Sequence, residues 1–408
     1  MAISRRGLLG TAAAAAAWPL ARARGQTPKI TIGVLTDLSG PYRDTTGATS
    51  VACVKQALLD FDVVGRGLDV EVVAADHQNK ADIGAGIARS WIDNNSVDAI
   101  ADVPNSSVAL AVSQIARQKD KVLLVGGATT VALTGAQCSP NTVHWSLDTY
   151  LLAQSTGGSI VKSGGDSWFI VTADYAFGHS LEEQAAAVIE KSGGKVVGRA
   201  RYPFPDTTDF SSYLAQAAAS GAKVLGFANA GTDLVNCVKQ AHEFALPQTG
   251  IRLAPLQMFL TEAHALSPED SAGLTVTSTF YWDLNERTRR FAKKIVEKTP
   301  NNWPNMVHAN SYGLVTHYLK AVADMGTAEA KRSGLATIGR MKQMPSDDDA
   351  FGPGSVRADG RALFPAYLFE VKQPAERKGP WDLYRLLATT PASIVVHPLG
   401  FGGCKLGV

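Results

Sequence analysis

The stretch Val97-Asp98-Ala99-Ile100-Ala101-Asp102-Val103-Pro104-Asn105-Ser106-Ser107 decides the fold. A short apolar run ends in a proline and then in three residues that favour helix N-caps. This is the pattern of a buried strand feeding a helix through a polar turn. Upstream the same unit recurs, with strands expected at 30–35 and 69–75 and helices at 47–61 and 82–94. Downstream, 107–118 reads as helix and 122–125 as strand. Short apolar runs alternating with amphipathic helices predict an α/β architecture, a doubly wound parallel sheet covered on both faces.

Near residues 145–149 the rhythm restarts. Helices expected at 148–162, 180–192, 210–219 and 234–244 alternate with strands at 168–172, 195–197, 224–228 and 251–255. The second half repeats the layout of the first, so two three-layer lobes are a simpler reading than one large sheet. A strand at 275–282, helices at 285–298, 306–325 and 331–344, and a late strand at 364–371 follow. We expect lobe one from 27–147 and 279–355, lobe two from 148–278 and 356–390, and a C-terminal tail at 391–408. A chain that crosses between lobes several times makes a multi-strand hinge, which bends without letting the lobes part.

Residues 1–26 differ in kind. Ser4-Arg5-Arg6-Gly7-Leu8-Leu9-Gly10 precedes an alanine-dominated apolar run, and Ala21-Arg22-Ala23 has the form of a cleavage site. This is the pattern of an export signal, and its paired arginines point to the twin-arginine route. Cleavage after Ala23 removes three arginines and takes the formal charge from +2 to −1. The 408 residues, 45% hydrophobic and 19% charged, suffice for two packed cores. No basic block points to nucleic acid, and no other stretch is long and apolar enough to span a bilayer. None of the four cysteines stands in a C-x-x-C pair, which disfavours zinc and dithiol chemistry. Cys53 and Cys237 lie in helical patterns and read as core thiols. Cys138 and Cys404 lie in loop and tail, where an oxidising compartment allows a bridge.

The motifs of common enzyme classes are missing. H-E-x-x-H, G-x-x-x-x-G-K-[ST] and G-x-S-x-G do not occur, and Gly178-His179-Ser180-Leu181-Glu182 ends in Glu where a nucleophile elbow needs Gly. No catalytic residue, metal ligand or cofactor is expected. Polar turns at the carboxyl ends of strands stand out instead, where doubly wound sheets bind ligands. Asn105, Ser106 and Ser107 offer hydroxyls and the N–H groups of a first helical turn to a carboxylate; plain N-capping explains them equally well. Ala128, Thr129 and Thr130 follow the next strand. In the second half, Tyr175 and Phe177 follow one strand and Asn229 another, the aromatics fitting either a stacked ligand or a packed lobe edge.

Taken in order, Gly33-Val34-Leu35-Thr36-Asp37-Leu38-Ser39-Gly40-Pro41-Tyr42, Gly127-Ala128-Thr129, Asp174-Tyr175-Ala176-Phe177-Gly178 and Val356-Arg357-Ala358-Asp359-Gly360-Arg361 resemble the periplasmic binding proteins of the branched-chain amino acid type that serve ABC importers. The resemblance covers nearly all of the chain after the export segment. It implies a Venus-flytrap monomer in the periplasm, with a small carboxylate ligand and an inner-membrane ABC permease as partners. It implies that Asn105–Ser107 and Ala128–Thr130 meet the carboxylate, that Tyr175, Phe177, Tyr150 and Asn229 close from lobe two, and that Tyr42 and Trp282 line the rim. One departure bears on the ligand. Where amino-acid binders carry an acid for the ligand ammonium, this chain reads Leu256-Gln257-Met258-Phe259, with Glu262 a few residues late. A buried ammonium without a counter-charge costs several kcal/mol, about 3–5 for a broken pair. An aromatic or keto acid fits this pattern better than an amino acid, with Asp174 or Asp233 as the remaining candidate acids. A sensor of the same fold acting on a regulatory partner, and a periplasmic enzyme, are the competing readings.

Overall fold

The computed structural model describes residues 28–408. The expected export segment lies outside the described residues. Lobe one is built on a five-stranded parallel sheet of β1 (Ile30–Thr36), β2 (Val70–Asp76), β3 (Ala99–Asp102), β4 (Val122–Val125) and β5 (Thr142–His144), in the order β2-β1-β3-β4-β5. Every residue of β1, Ile-Thr-Ile-Gly-Val-Leu-Thr, is buried, as an inner strand covered on both faces requires. Edge strand β2 has no fully buried residue, and Glu71 and Ala74 are exposed.

Lobe two repeats the plan with four parallel strands: β6 (Ser167–Ala173), β7 (Lys195–Tyr202), β8 (Val224–Ala228) and β9 (Arg252–Pro255), in the order β7-β6-β8-β9. β6 is again an inner strand and wholly buried. The remaining strands are antiparallel. β10 (Thr275–Ser278) precedes a hairpin-like set of β11 (Ser346–Asp348), β12 (Gly352–Val356) and β13 (Ala362–Leu363). It pairs with β14 (Ala366–Val371), which pairs in turn with β15 (Tyr384–Thr390).

The chain therefore passes between lobes after β5, after β10 and after β13. Arg361 bridges to His144 on β5, so residues 357–363 stay with lobe one and the third crossing falls near Phe364, not at the expected 356. The final segment returns to lobe one: Cys404 bonds Cys138, with Cα atoms 5.8 Å apart, and His397 lies 2.9 Å from Thr134 Oγ1. Cys53 and Cys237 are free and buried.

Among the described residues, no helix is long and apolar enough to cross a membrane, and no group of three His, Cys, Asp or Glu stands ready for a metal. The twenty-residue helix Met306–Met325 is buried along most of its length and packs on helix Gly47–Phe61. The helix expected at 331–344 divides into Thr327–Arg332 and Gly334–Gln343, with Ser333 capping the second.

Candidate functional site

Between the lobes lies a narrow cavity of about 20 Å³, room for about one water, so its two walls stand nearly shut on each other. Lobe one supplies Tyr42, Thr45, Pro104, Gly127, Thr129 and Val307. Lobe two supplies Tyr175, Phe177, Ala230, Gln257 and Phe259. Four of the eleven are aromatic and none is charged.

Local chemistry places each wall. After β1 the chain turns around the Asp37 carboxylate, which accepts the N–H groups of Gly40 (2.7 Å) and Tyr42 (2.8 Å) and the Asn79 side-chain amide (2.6 Å). This Asx-type turn aims Tyr42 at the cleft. After β3, Asp102 and Val103 take positive φ (77° and 49°), which lets the Asp102 carbonyl accept both Gly126 N–H (2.8 Å) and Gly127 N–H (3.1 Å). Neither residue is glycine, so the turn is strained, as backbone near a functional site often is. The Asp102 carboxyl lies beneath, held by the Thr46 hydroxyl and by Ser311 (3.1 Å), and burial pushes it up to about 6.

The lobes already touch. Tyr42 and Tyr175 share a 2.6 Å hydroxyl contact, Thr129 Oγ1 donates to Gln257 Oε1 at 3.2 Å, and Thr232 N–H donates to the Pro41 carbonyl at 3.0 Å. Tyr175 stacks on Phe204 (4.3 Å, 15°), which also faces Tyr42 at 5.6 Å. Gly231 makes this approach possible. Its φ is +68°, and a Cβ there would lie 2.4 Å from the Pro41 oxygen and 2.7 Å from the Tyr42 ring.

Behind the lobe-two wall sits Glu262, whose two oxygens take the N–H groups of Gly231 and Phe259, the latter at 3.0 Å. Burial raises its carboxyl to about 8 despite those donors. Asp233 is likewise buried, accepts the Tyr202 hydroxyl at 2.8 Å, and is pushed up to about 7 by burial. Both acids support the wall without lining the cavity. Asp174, half-exposed, pairs with His179 at 2.6 Å.

Of the residues singled out in the sequence, Tyr42, Thr129, Tyr175, Phe177 and Gln257 come together on the cavity wall. The others do not reach it. Asn105 caps helix Ser106–Gln118 by accepting Val108 N–H (3.1 Å), and Ser106 accepts Thr130 N–H (3.4 Å), so both are spent on the scaffold next to Pro104. Ser107, half-buried in the first turn, keeps an N–H with no intrahelical acceptor. The Ala128 carbonyl faces His144 Nε2 (2.8 Å), and Thr130 caps the short turn Val131–Leu133. Asn229 donates to Cys237 Sγ at 3.3 Å. Tyr150 packs edge-on against His397 and Phe401 of the tail, and Trp282 stands beside Trp303 and Trp381 in a different groove. Thr45, Pro104, Gly127, Ala230, Phe259 and Val307 also line the cavity but were not singled out as ligand residues, because they are small or apolar or lie in a loop and at helix starts whose patterns read as structural.

The family described as periplasmic binding proteins matches residues 29–379. A periplasmic binding protein from Burkholderia mallei is 41% identical, with 93% of this chain and 99% of that one covered and a TM-score of 0.88. A branched-chain amino acid ABC transporter periplasmic ligand-binding protein from Burkholderia xenovorans is 33% identical, covering 92% and 99%, with a TM-score of 0.78. A solute-binding protein of an ABC transporter from R. palustris, solved with benzoate, shares the fold at 21% identity, covering 93% and 100%, with a TM-score of 0.79. Among curated proteins none matches.

Proposed function

The chain belongs to the family of periplasmic binding proteins, and on that premise we propose that it closes on a small aromatic or keto acid and delivers it to an ABC permease. The observation that carries this reading is the wall of the cavity: four aromatic rings, hydroxyls at Thr45 and Thr129, the Gln257 amide, and no carboxylate. An α-amino acid brings an ammonium, and the two acids closest to the wall are already committed to Gly231, Phe259 and Tyr202. A carboxylate meets donors instead. Thr129 Oγ1 gives up Gln257 and turns to the ligand, the first turn of helix Ser106–Gln118 adds partial positive charge, and Tyr175 with Phe177 covers an apolar body. Closure around such a guest keeps the Thr232–Pro41 contact and excludes water.

The export pattern at residues 1–26 supports a periplasmic location reached by the twin-arginine route. The chain acts as a monomer, and Venus-flytrap binding returns the ligand unchanged, without catalysis. A benzoate-bound relative of the same fold makes aromatic acids the first class to try. Calorimetric titration of the mature chain with benzoate, 4-hydroxybenzoate, phenylpyruvate, 2-oxoisocaproate and leucine tests the reading. Binding of one or more of the acids, weakened at least tenfold by Thr129→Ala, is expected. Tight binding of leucine with no response to any amine-free acid overturns it.

A further inference from the structure

Three tryptophans converge where the lobes meet a second time. Trp282 follows β10 on the second crossing, Trp303 precedes the long helix Met306–Met325 of lobe one, and Trp381 lies in the loop between β14 and β15 of lobe two. Trp303 and Trp381 are nearly parallel (11°, centroids 6.1 Å apart), and Trp282 meets Trp303 edge-on at 4.7 Å. The cluster is held in place: Trp282 Nε1 donates to the Trp381 carbonyl (2.8 Å), and His264 stacks on Trp381 at 3.7 Å while contacting the Pro380 carbonyl at 2.9 Å. The groove walled by these indoles has a volume of about 240 Å³ and is edged by Asp283, Lys372, Lys378 and Asp382.

The charges decide what fits. Asp382 is occupied by the Lys372 ammonium and by Lys378 N–H, and Asp283 is paired with Arg289 at 2.6 Å. Both carboxylates are therefore spent. Among the described residues, no carboxylate stands within ion-pair distance of the Lys378 ammonium, which is exposed at the edge of the groove. Trp381 is buried and stacked on His264, so the open indole surface is that of half-buried Trp282 and Trp303. A flat cation finds that surface but no free counter-charge, whereas a flat anion finds both it and the Lys378 ammonium.

We propose that this groove is a second binding site, for a planar aromatic carboxylate, built jointly by Trp303 of lobe one and by Trp381 and Lys378 of lobe two. Because its walls come from both lobes, a ligand there binds the closed arrangement best. By linkage it then tightens the hold of the main cavity on its own ligand. This coupling, though not the groove itself, rests on the function proposed above.

Fluorine NMR of the mature chain labelled with 5-fluorotryptophan tests the site, with 2-naphthoate as anionic probe and 2-naphthylmethylammonium as its cationic counterpart. Signals of Trp282, Trp303 and Trp381, assigned by single Trp→Phe variants, are expected to shift with the anion and not with the cation. Buried Trp145 and Trp168 serve as silent references. Lys378→Ala is expected to weaken the response at least tenfold while leaving ligand binding in the main cavity unchanged. Repeating the titration in Tyr175→Ala separates the two claims: a groove response that survives there supports the site even if the main cavity binds no acid. Silent groove signals, a response indifferent to Lys378→Ala, or a preference for the cation overturns the proposal.

Discussion

Gly231 of lobe two passes against Pro41 and Tyr42 of lobe one, and its missing side chain has a measurable consequence. Gly231→Ala puts a methyl 2.4 Å from the Pro41 carbonyl and imposes a left-handed φ that costs about 1–2 kcal/mol. The lobes then stop short of closure, and ligand affinity is expected to fall at least about tenfold, the equivalent of about 1.4 kcal/mol. Calorimetry on the variant measures this; unchanged affinity removes Gly231 from the closing contact. Glu262 gives a pH test. Burial raises its carboxyl from 4.5 to about 8, so the fold prefers the neutral acid. The stability this contributes is full below the unfolded value of 4.5 and is lost as pH rises through about 8. Buried His77, His144, His308, His317 and His397 are shifted down by burial from the free value of 6.5, so only above about pH 7.5 are they nearly all neutral in both states and add little slope. Between about pH 7.5 and about pH 8.5 the wild-type Tm is expected to fall, with Asp233 contributing at the lower end, and Glu262→Gln to flatten that fall. Equal slopes would mean that Glu262 stays ionised in the fold. Of the wall's aromatics, Tyr42, Tyr175 and Phe177 were legible in the sequence together with Thr129, because turns that follow strands have a recognisable composition. The sequence did not show that Asn105 and Ser106 are consumed as caps and braces, since a capping serine and a ligand-binding serine read alike.

Elements carry these residues, and the loop after β1 is the clearest case. Asp37 ties four groups to one carboxylate, the N–H groups of Ser39, Gly40 and Tyr42 and the Asn79 amide, and Asp37→Ala leaves them without that acceptor. A destabilisation of about 3 kcal/mol is expected, together with weaker ligand binding as Tyr42 loses its setting. Chemical denaturation and calorimetry on the same variant check both; full stability would show that water replaces the carboxylate. The long buried strands and amphipathic helices were legible because their periodicity spans enough residues to stand out. β5, β11 and β13 were not, being two or three residues long. β15 was missed for another reason: five of its seven residues are exposed, and Leu386 and Leu387 stand adjacent, so no alternation marks it. β3 ends earlier than its apolar run because Asp102 and Val103 turn left-handed, a conformation that composition does not announce in non-glycine residues.

At the scale of the whole molecule, three crossings and a returning tail join the lobes. The Cys138–Cys404 bond closes a loop of 266 residues and anchors the tail, which covers Tyr150 at the first crossing. Cys404→Ser is expected to lower unfolding stability by about 2–5 kcal/mol. Denaturation of the variant beside the wild type measures it, and no loss would mean that the tail docks unaided. Repetition of the α/β rhythm made the two lobes readable in the sequence, whereas the closed arrangement was not, since it depends on Tyr42, Tyr175, Gly231 and Pro41 meeting across more than a hundred residues of chain. Binding by such a molecule requires its two lobes to move together around a carboxylated guest. Small-angle scattering of the mature protein, with and without the acid that binds most tightly, tests this most directly. The radius of gyration is expected to shrink with ligand, and that of a Gly231→Ala variant to stay unchanged. A radius of gyration indifferent to every bound acid would contradict it.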